Sequence, residues 1–256
     1  MSRRSTIGFD RRIDLDWLDA AAAQAVAGAS TDALRAGLWT FLDGIVSGDT
    51  SNTARGKTVT VLSHIWGAVP PSAIGLRQRA IERLDSCTAE ERLALHWAMM
   101  IGTYPIFSDI ASAVGRLLKL QGSFTLAVLS RRLAGSWGAR STLLRAVQRI
   151  VRSMVQWDVL QDTPTPGYFT RPADLRRVSA DVGLILLEAL LVDAEQACLP
   201  LGQLLTHPAL FPFELALNVD QVRAATQFRL YREGLDSDIV ELDSESSHCR
   251  ESGHVD

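Results

Sequence analysis

The chain has 256 residues, 47% hydrophobic and 21% charged, which is enough apolar material for a real core and excludes a disordered or fibrous chain. Cys87, Cys198 and Cys249 are odd in number and far apart, which excludes a disulfide framework or a cysteine metal site and points to a reducing cytoplasm. A net charge of -3 argues by itself against a nucleic-acid partner, but the distribution of charge along the chain says otherwise.

Residues 1–13 read as loosely tied. They carry arginines with no apolar run behind them, unlike a signal peptide. The Ala-rich stretch from Asp14 to Gly28 predicts a helix stopped by its glycine. Ser30 or Thr31 then caps TDALRAGLWTFLDGIV, with Leu34, Leu38, Phe41, Leu42 and Ile45 on one face. Helices follow over Thr53 to Trp66 and Ser72 to Leu84. Thr88 and Glu91 form a capping box for Ala89 to Ile101, and Pro105 restarts the chain for Phe107 to Leu120.

The pattern then changes. FTLAVLSRRLAG is a short helix, Gly135-Ser136-Trp137-Gly138 a turn, and STLLRAVQRIVRSMVQWDVL a helix of about five turns. VLQDT and YFTRP, joined by Pro-Thr-Pro-Gly, read as a two-stranded hairpin. DLRRVSADVGLILLEALLVDAEQ reads as one helix, and its most apolar part, Val182 to Val192, is about half the length of a membrane span. FELALNV and QFRLYRE alternate like the strands of a second hairpin, and an acidic tail follows from Asp236. The expected fold is mainly α: an N-terminal helical bundle joined to a winged helix-turn-helix, with a small β-hairpin extension. Its expected parts are a bundle over 14–105, a winged helix-turn-helix over 106–175, a helix and hairpin over 176–235, and a disordered acidic tail over 236–256.

Charge is the most informative feature. From Ile110 to Trp157 the chain has eight basic residues and no acid, whereas its last 24 residues have eight acids and one arginine. In the long helix, Leu143, Leu144, Val147, Ile150, Val151, Met154 and Val155 mark an inward face. Ser141, Arg145, Gln148, Arg149, Arg152 and Gln156 mark the opposite one. A helix about 10–12 Å across fits the major groove of duplex DNA. The candidate contacts are Arg140, Arg145, Arg149 and Arg152 to phosphate or guanine, Gln148 to adenine, and Ser141 or Thr142 to a phosphate near the helix start. Lys119, Arg131 and Arg132 flank this helix and suit backbone phosphates. Tyr168 and Arg171, in the hairpin, suit an adjacent groove or phosphate, and Tyr168 reads equally well as a packing aromatic. Trp137 and Trp157 read as core anchors. The plain alternative for the whole basic stretch is a patch that pairs with acids from elsewhere in the fold, and for the long helix alone a solvated amphipathic helix.

Signatures of catalysis are missing from the sequence. Arg55-Gly56-Lys57-Thr58 ends like a phosphate loop, but the glycine required five positions before Gly56 is Ser51, and no buried strand precedes it. His64, His96, His207, His248 and His254 are scattered, and there is no GxSxG. The expectation is a protein that is not an enzyme and needs no cofactor or metal.

TARGKTVTVLSHIW, then PSAIGLRQRAIERLDSCTAEERLALHWAMMIGTYPIFSDIASAVGRLL, then RAVQRIVRSMVQWDVLQDT, taken in that order, resemble the small winged-helix proteins of BREX-type phage-defence clusters. The likeness spans roughly residues 30–170 and rests on hydrophobic pattern and element order. It implies a non-enzymatic, cytoplasmic accessory that binds double-stranded DNA through Arg145, Arg149 and Arg152 and works with other proteins of the same defence system. The alternatives are a transcriptional regulator and a protein-docking module built on the same fold. The sequence does not set the oligomeric state.

Overall fold

The structure, a computed structural model, describes residues 6–194, 198–233 and 237–243. In chain order the helices before the first strand are α1 (Leu15–Val26), α2 (Thr31–Phe41), α3 (Ala54–Trp66), α4 (Ile74–Leu84), α5 (Ala89–Thr103) and α6 (Pro105–Gln121). There follow β1 (Phe124–Thr125), α7 (Leu126–Trp137), α8 (Ser141–Gln156), β2 (Gln161–Asp162), β3 (Tyr168–Thr170), β4 (Arg176–Val178) and α9 (Ala180–Asp193). The last are β5 (Cys198–Pro200), α10 (Leu201–Leu205), β6 (Phe213–Leu215), α11 (Val219–Ala224), β7 (Phe228–Glu233) and β8 (Ser237–Leu242). The chain is thus mainly α with small sheets.

Its internal contacts form two compact units. One holds the described parts of Met1–Val69, Thr103–Leu175 and Pro208–Pro212, and the other those of Pro70–Gly102, Arg176–His207 and Phe213–Asp256. Residues 70–102, expected in the N-terminal bundle, therefore group with the C-terminal region.

In the first unit the helix starts follow the sequence. Ser30 caps α2 by accepting from the Ala33 N–H at 3.2 Å, and Thr125 caps α7 through Val128 at 3.3 Å. Gly122 closes α6 in the left-handed region, at φ 73°. α2 ends at Phe41, earlier than its pattern implied, and Phe41 and Ile45 are exposed. The leading segment is not loose over its described part. Phe9 is fully buried, stacked on Phe107 at 6.0 Å and tilted against Tyr104 at 5.2 Å. The Ile13 N–H donates to Ser153 Oγ at 2.8 Å, and its carbonyl accepts from the Trp157 indole at 3.1 Å. The apolar residues Ile7, Phe9 and Ile13 drive this docking.

The apparent phosphate-loop ending lies inside α3. Arg55 is buried there, bonded to Asp43 at 2.7 Å and to the Trp39 carbonyl, while Lys57 is exposed. Gly56 allows α3 to pass close to the Ser51 backbone. At Gly115 a β-carbon would lie 2.0 Å from the Pro208 carbonyl oxygen, so only glycine lets α6 meet the short 3-10 turn Pro208–Leu210.

The second unit is built around α4, α5 and α9. The capping box of α5 forms: the Thr88 N–H donates to Glu91 at 3.0 Å and the Glu91 N–H to Thr88 Oγ1 at 3.3 Å. The other Glu91 oxygen accepts from the Ser179 N–H at 3.2 Å, tying α5 to the start of α9. Glu188 of α9, buried to 2%, takes two bonds from Arg79 of α4, at 2.6 and 2.5 Å. Burial pushes the Glu188 carboxyl above the usual carboxylate range, with Arg79 pulling the other way.

Three strand expectations change here. Arg176 to Val178, read as helix, is strand β4 and pairs in parallel with β6, Val178 opposite Leu215. The expected hairpin of FELALNV with QFRLYRE does not form, because β7 pairs instead with β8 in the antiparallel order β5-β8-β7. Residues 237–242, expected in a disordered tail, are the central strand of that sheet, with Ile239 and Val240 buried. Pairing on both edges, to β5 and β7, with burial of the adjacent Ile239 and Val240, overrides the acidic composition. Most of the rest of that tail, residues 244–256, lies outside the described residues.

Candidate nucleic-acid interface

The candidate residues sit on a run of elements in the first unit: α6, β1, α7, α8, β2 and β3. The three strands form one antiparallel sheet in the order β1-β3-β2, with Phe124 opposite Phe169 and Gln161 opposite Thr170. β1 was read as the start of a helix. It joins the sheet because Phe124 buries against Phe169, ring centroids 5.7 Å apart. The Thr170 hydroxyl donates to the Gly122 carbonyl at 2.8 Å and fixes the hairpin to the end of α6.

α7 continues through Gly135 and Ser136, where a turn was expected. Its last residue, Trp137, is buried and donates from its indole to Asp109 at 2.8 Å, which holds the final turn in place. Gly138, at φ 74°, then reverses the chain, and α8 starts at Ser141. The side chain of Arg140, at the cap position, makes no capping bond, and the first turn holds no acid. α8 is shorter than its apolar pattern implied. It stops at Gln156 because Asp158 turns left-handed, at φ 55°, and Trp157 is anchored in the core.

All the candidate residues are exposed: Lys119 on α6, Arg131 and Arg132 on α7, Arg140, Ser141, Thr142, Arg145, Gln148, Arg149 and Arg152 at and along α8, and Tyr168 and Arg171 at the hairpin. Leu143, Val147, Ile150, Val151 and Met154 are buried, as their spacing predicts. Leu144 is not. It was counted on the inward face but is 56% exposed, because roughly 100° per residue carries it about a quarter-turn from the buried ridge.

The arginines fall into two kinds. Among the described residues Arg131, Arg132, Arg145 and Arg149 make no ion pair. Arg152 does. Its Nη1 lies 2.9 and 3.1 Å from the two Asp162 oxygens, and its guanidinium sits over the Phe169 ring at 5.2 Å. Arg152 is thus neutralised by an acid that lies just beyond the acid-free run, whereas among the described residues Arg145 and Arg149 are not. Sequence reasoning missed this clamp. Asp162 is only ten residues away, but the pairing needs the reversal at Asp158, which apolar spacing does not announce.

Comparison with family models, with curated proteins and with solved structures finds no match to this chain. No single helix among the described residues is long and apolar enough to cross a membrane.

Proposed function

We propose that this chain binds double-stranded DNA, with α8 in the major groove and the β2–β3 hairpin as a wing beside it. The observation that carries the reading is the pair Arg145 and Arg149, one turn apart on the outward face of α8, exposed and without an acid partner among the described residues. Unpaired cations so placed are available to phosphates or guanine. Helix, strand, helix, helix, strand, strand with an antiparallel sheet is the order of a winged helix-turn-helix, which supports the placement of α8. The absence of any acid between Ile110 and Trp157 supports it further.

In this reading the protein acts by binding, in the cytoplasm, and not as an enzyme. Its assignment as an accessory of a BREX-type defence system, beside that system's other proteins, rests on the sequence resemblance. The test is the binding of a labelled random-sequence duplex at two salt concentrations. Binding that weakens steeply with salt supports the proposal. Failure to bind duplex at low salt overturns it and makes a protein-docking role for the same surface the leading alternative.

A further inference from the structure

The outward face of α8 has two flanks. At roughly 100° per residue, Thr142, Arg145 and Arg149 lie toward one side and Ser141, Leu144 and Gln148 toward the other. The first flank is basic and the second uncharged. Leu144 is 56% exposed, and every other fully exposed position of the helix is polar. Withdrawing a side chain of this size from water is favourable, so leaving it on the face turned to a partner favours a partner with an apolar group at that point.

Duplex DNA offers one apolar group in its major groove, the C5-methyl of thymine. Gln148, one turn further along the same flank, has the amide suited to the two-bond recognition of adenine. The two residues are separated by roughly 6 Å along the helix, about two base-pair steps at 3.4 Å each. We propose that Leu144 is a specificity-determining residue that packs on a thymine methyl within about two base pairs of an adenine held by Gln148. This rests on the DNA reading above and deepens it: the arginine flank supplies affinity, and the Leu144–Gln148 flank selects an A·T-containing step.

The experiment starts by selecting the preferred sequence from a random duplex pool with the intact protein. That duplex is then resynthesised with dU replacing each thymine in turn, which removes one methyl and leaves base pairing unchanged. Loss of one buried methyl contact is expected to weaken binding about three- to fivefold at one position. Leu144→Ala should bind the thymine and uracil duplexes equally there, with the salt dependence of the parent. If no thymine is sensitive to loss of its methyl, or if Leu144→Ala keeps the parent's preference, the inference about Leu144 is overturned while arginine-dependent DNA binding stands. If the intact protein binds no duplex at all, the DNA reading falls and this inference falls with it.

Discussion

Arg152 and Asp162 are joined by two hydrogen bonds, at 2.9 and 3.1 Å, and this pair fastens the hairpin after α8 to α8 itself. The Phe169 ring beneath the guanidinium completes the clamp. Arg152 thus belongs to the support of the candidate interface more than to its contact face. Both groups of the pair are about half exposed, so its contribution is modest, about 0.5–1 kcal/mol. Arg152→Ala should lower stability by about 1 kcal/mol, with Asp162→Ala non-additive in a double-mutant cycle. The salt slope of DNA binding should change less for Arg152→Ala than for Arg145→Ala. A larger change at Arg152 would show that the residue leaves Asp162 to meet a phosphate.

Arg145 and Arg149 are the opposite case. Each phosphate contact releases about 0.9 counterion, so Arg145→Ala with Arg149→Ala should flatten the slope of log affinity against log salt by about two units. Affinity should fall tenfold or more, and stability should stay within about 0.5 kcal/mol because both positions are exposed. Glutamate at both positions should abolish binding. Titration of one labelled duplex at several salt concentrations checks all three expectations, and an unchanged slope in the double mutant would remove α8 from the interface.

Gly115→Ala tests the packing of the first unit. The added carbon would meet the Pro208 carbonyl at 2.0 Å and the Phe211 side chain at 3.1 Å. The turn Pro208–Leu210 must then move off α6, at a cost of about 1–3 kcal/mol. Urea unfolding should show a lower midpoint, and an unaltered midpoint would mean the turn is not held against α6 in solution.

Glu91 predicts a pH dependence for the second unit. Ser179, which donates its N–H to the carboxylate, then burial acting oppositely, then the Thr88 N–H and the Arg83 guanidinium leave its carboxyl below the ordinary glutamate value. A group depressed in the folded state contributes stability above its unfolded pKa and loses it as pH falls through the folded one. Glu91→Gln should therefore cost about 1–2 kcal/mol at neutral pH, and the difference from the parent should shrink as pH falls below the ordinary glutamate range. A difference that stays constant with pH would assign the loss to packing alone.

The sequence by itself determined what depends on neighbours along the chain. The cap at Ser30, the Thr88–Glu91 box, the buried ridge of α8 and the acid-free charge run were all legible, because helix caps and helix faces are set by residues three and four apart. Tertiary structure decided what depends on distant partners. The two-residue strand β1 exists because Phe124 finds Phe169, and β4 because it lies beside β6. β8 formed within a stretch that composition marked as a tail, because β5 and β7 pair with it on either side. The same distinction divides the arginines of α8. All three look alike in the sequence, but the reversal at Asp158 returns the chain so that one of them, Arg152, meets Asp162, while Arg145 and Arg149 make no ion pair among the described residues.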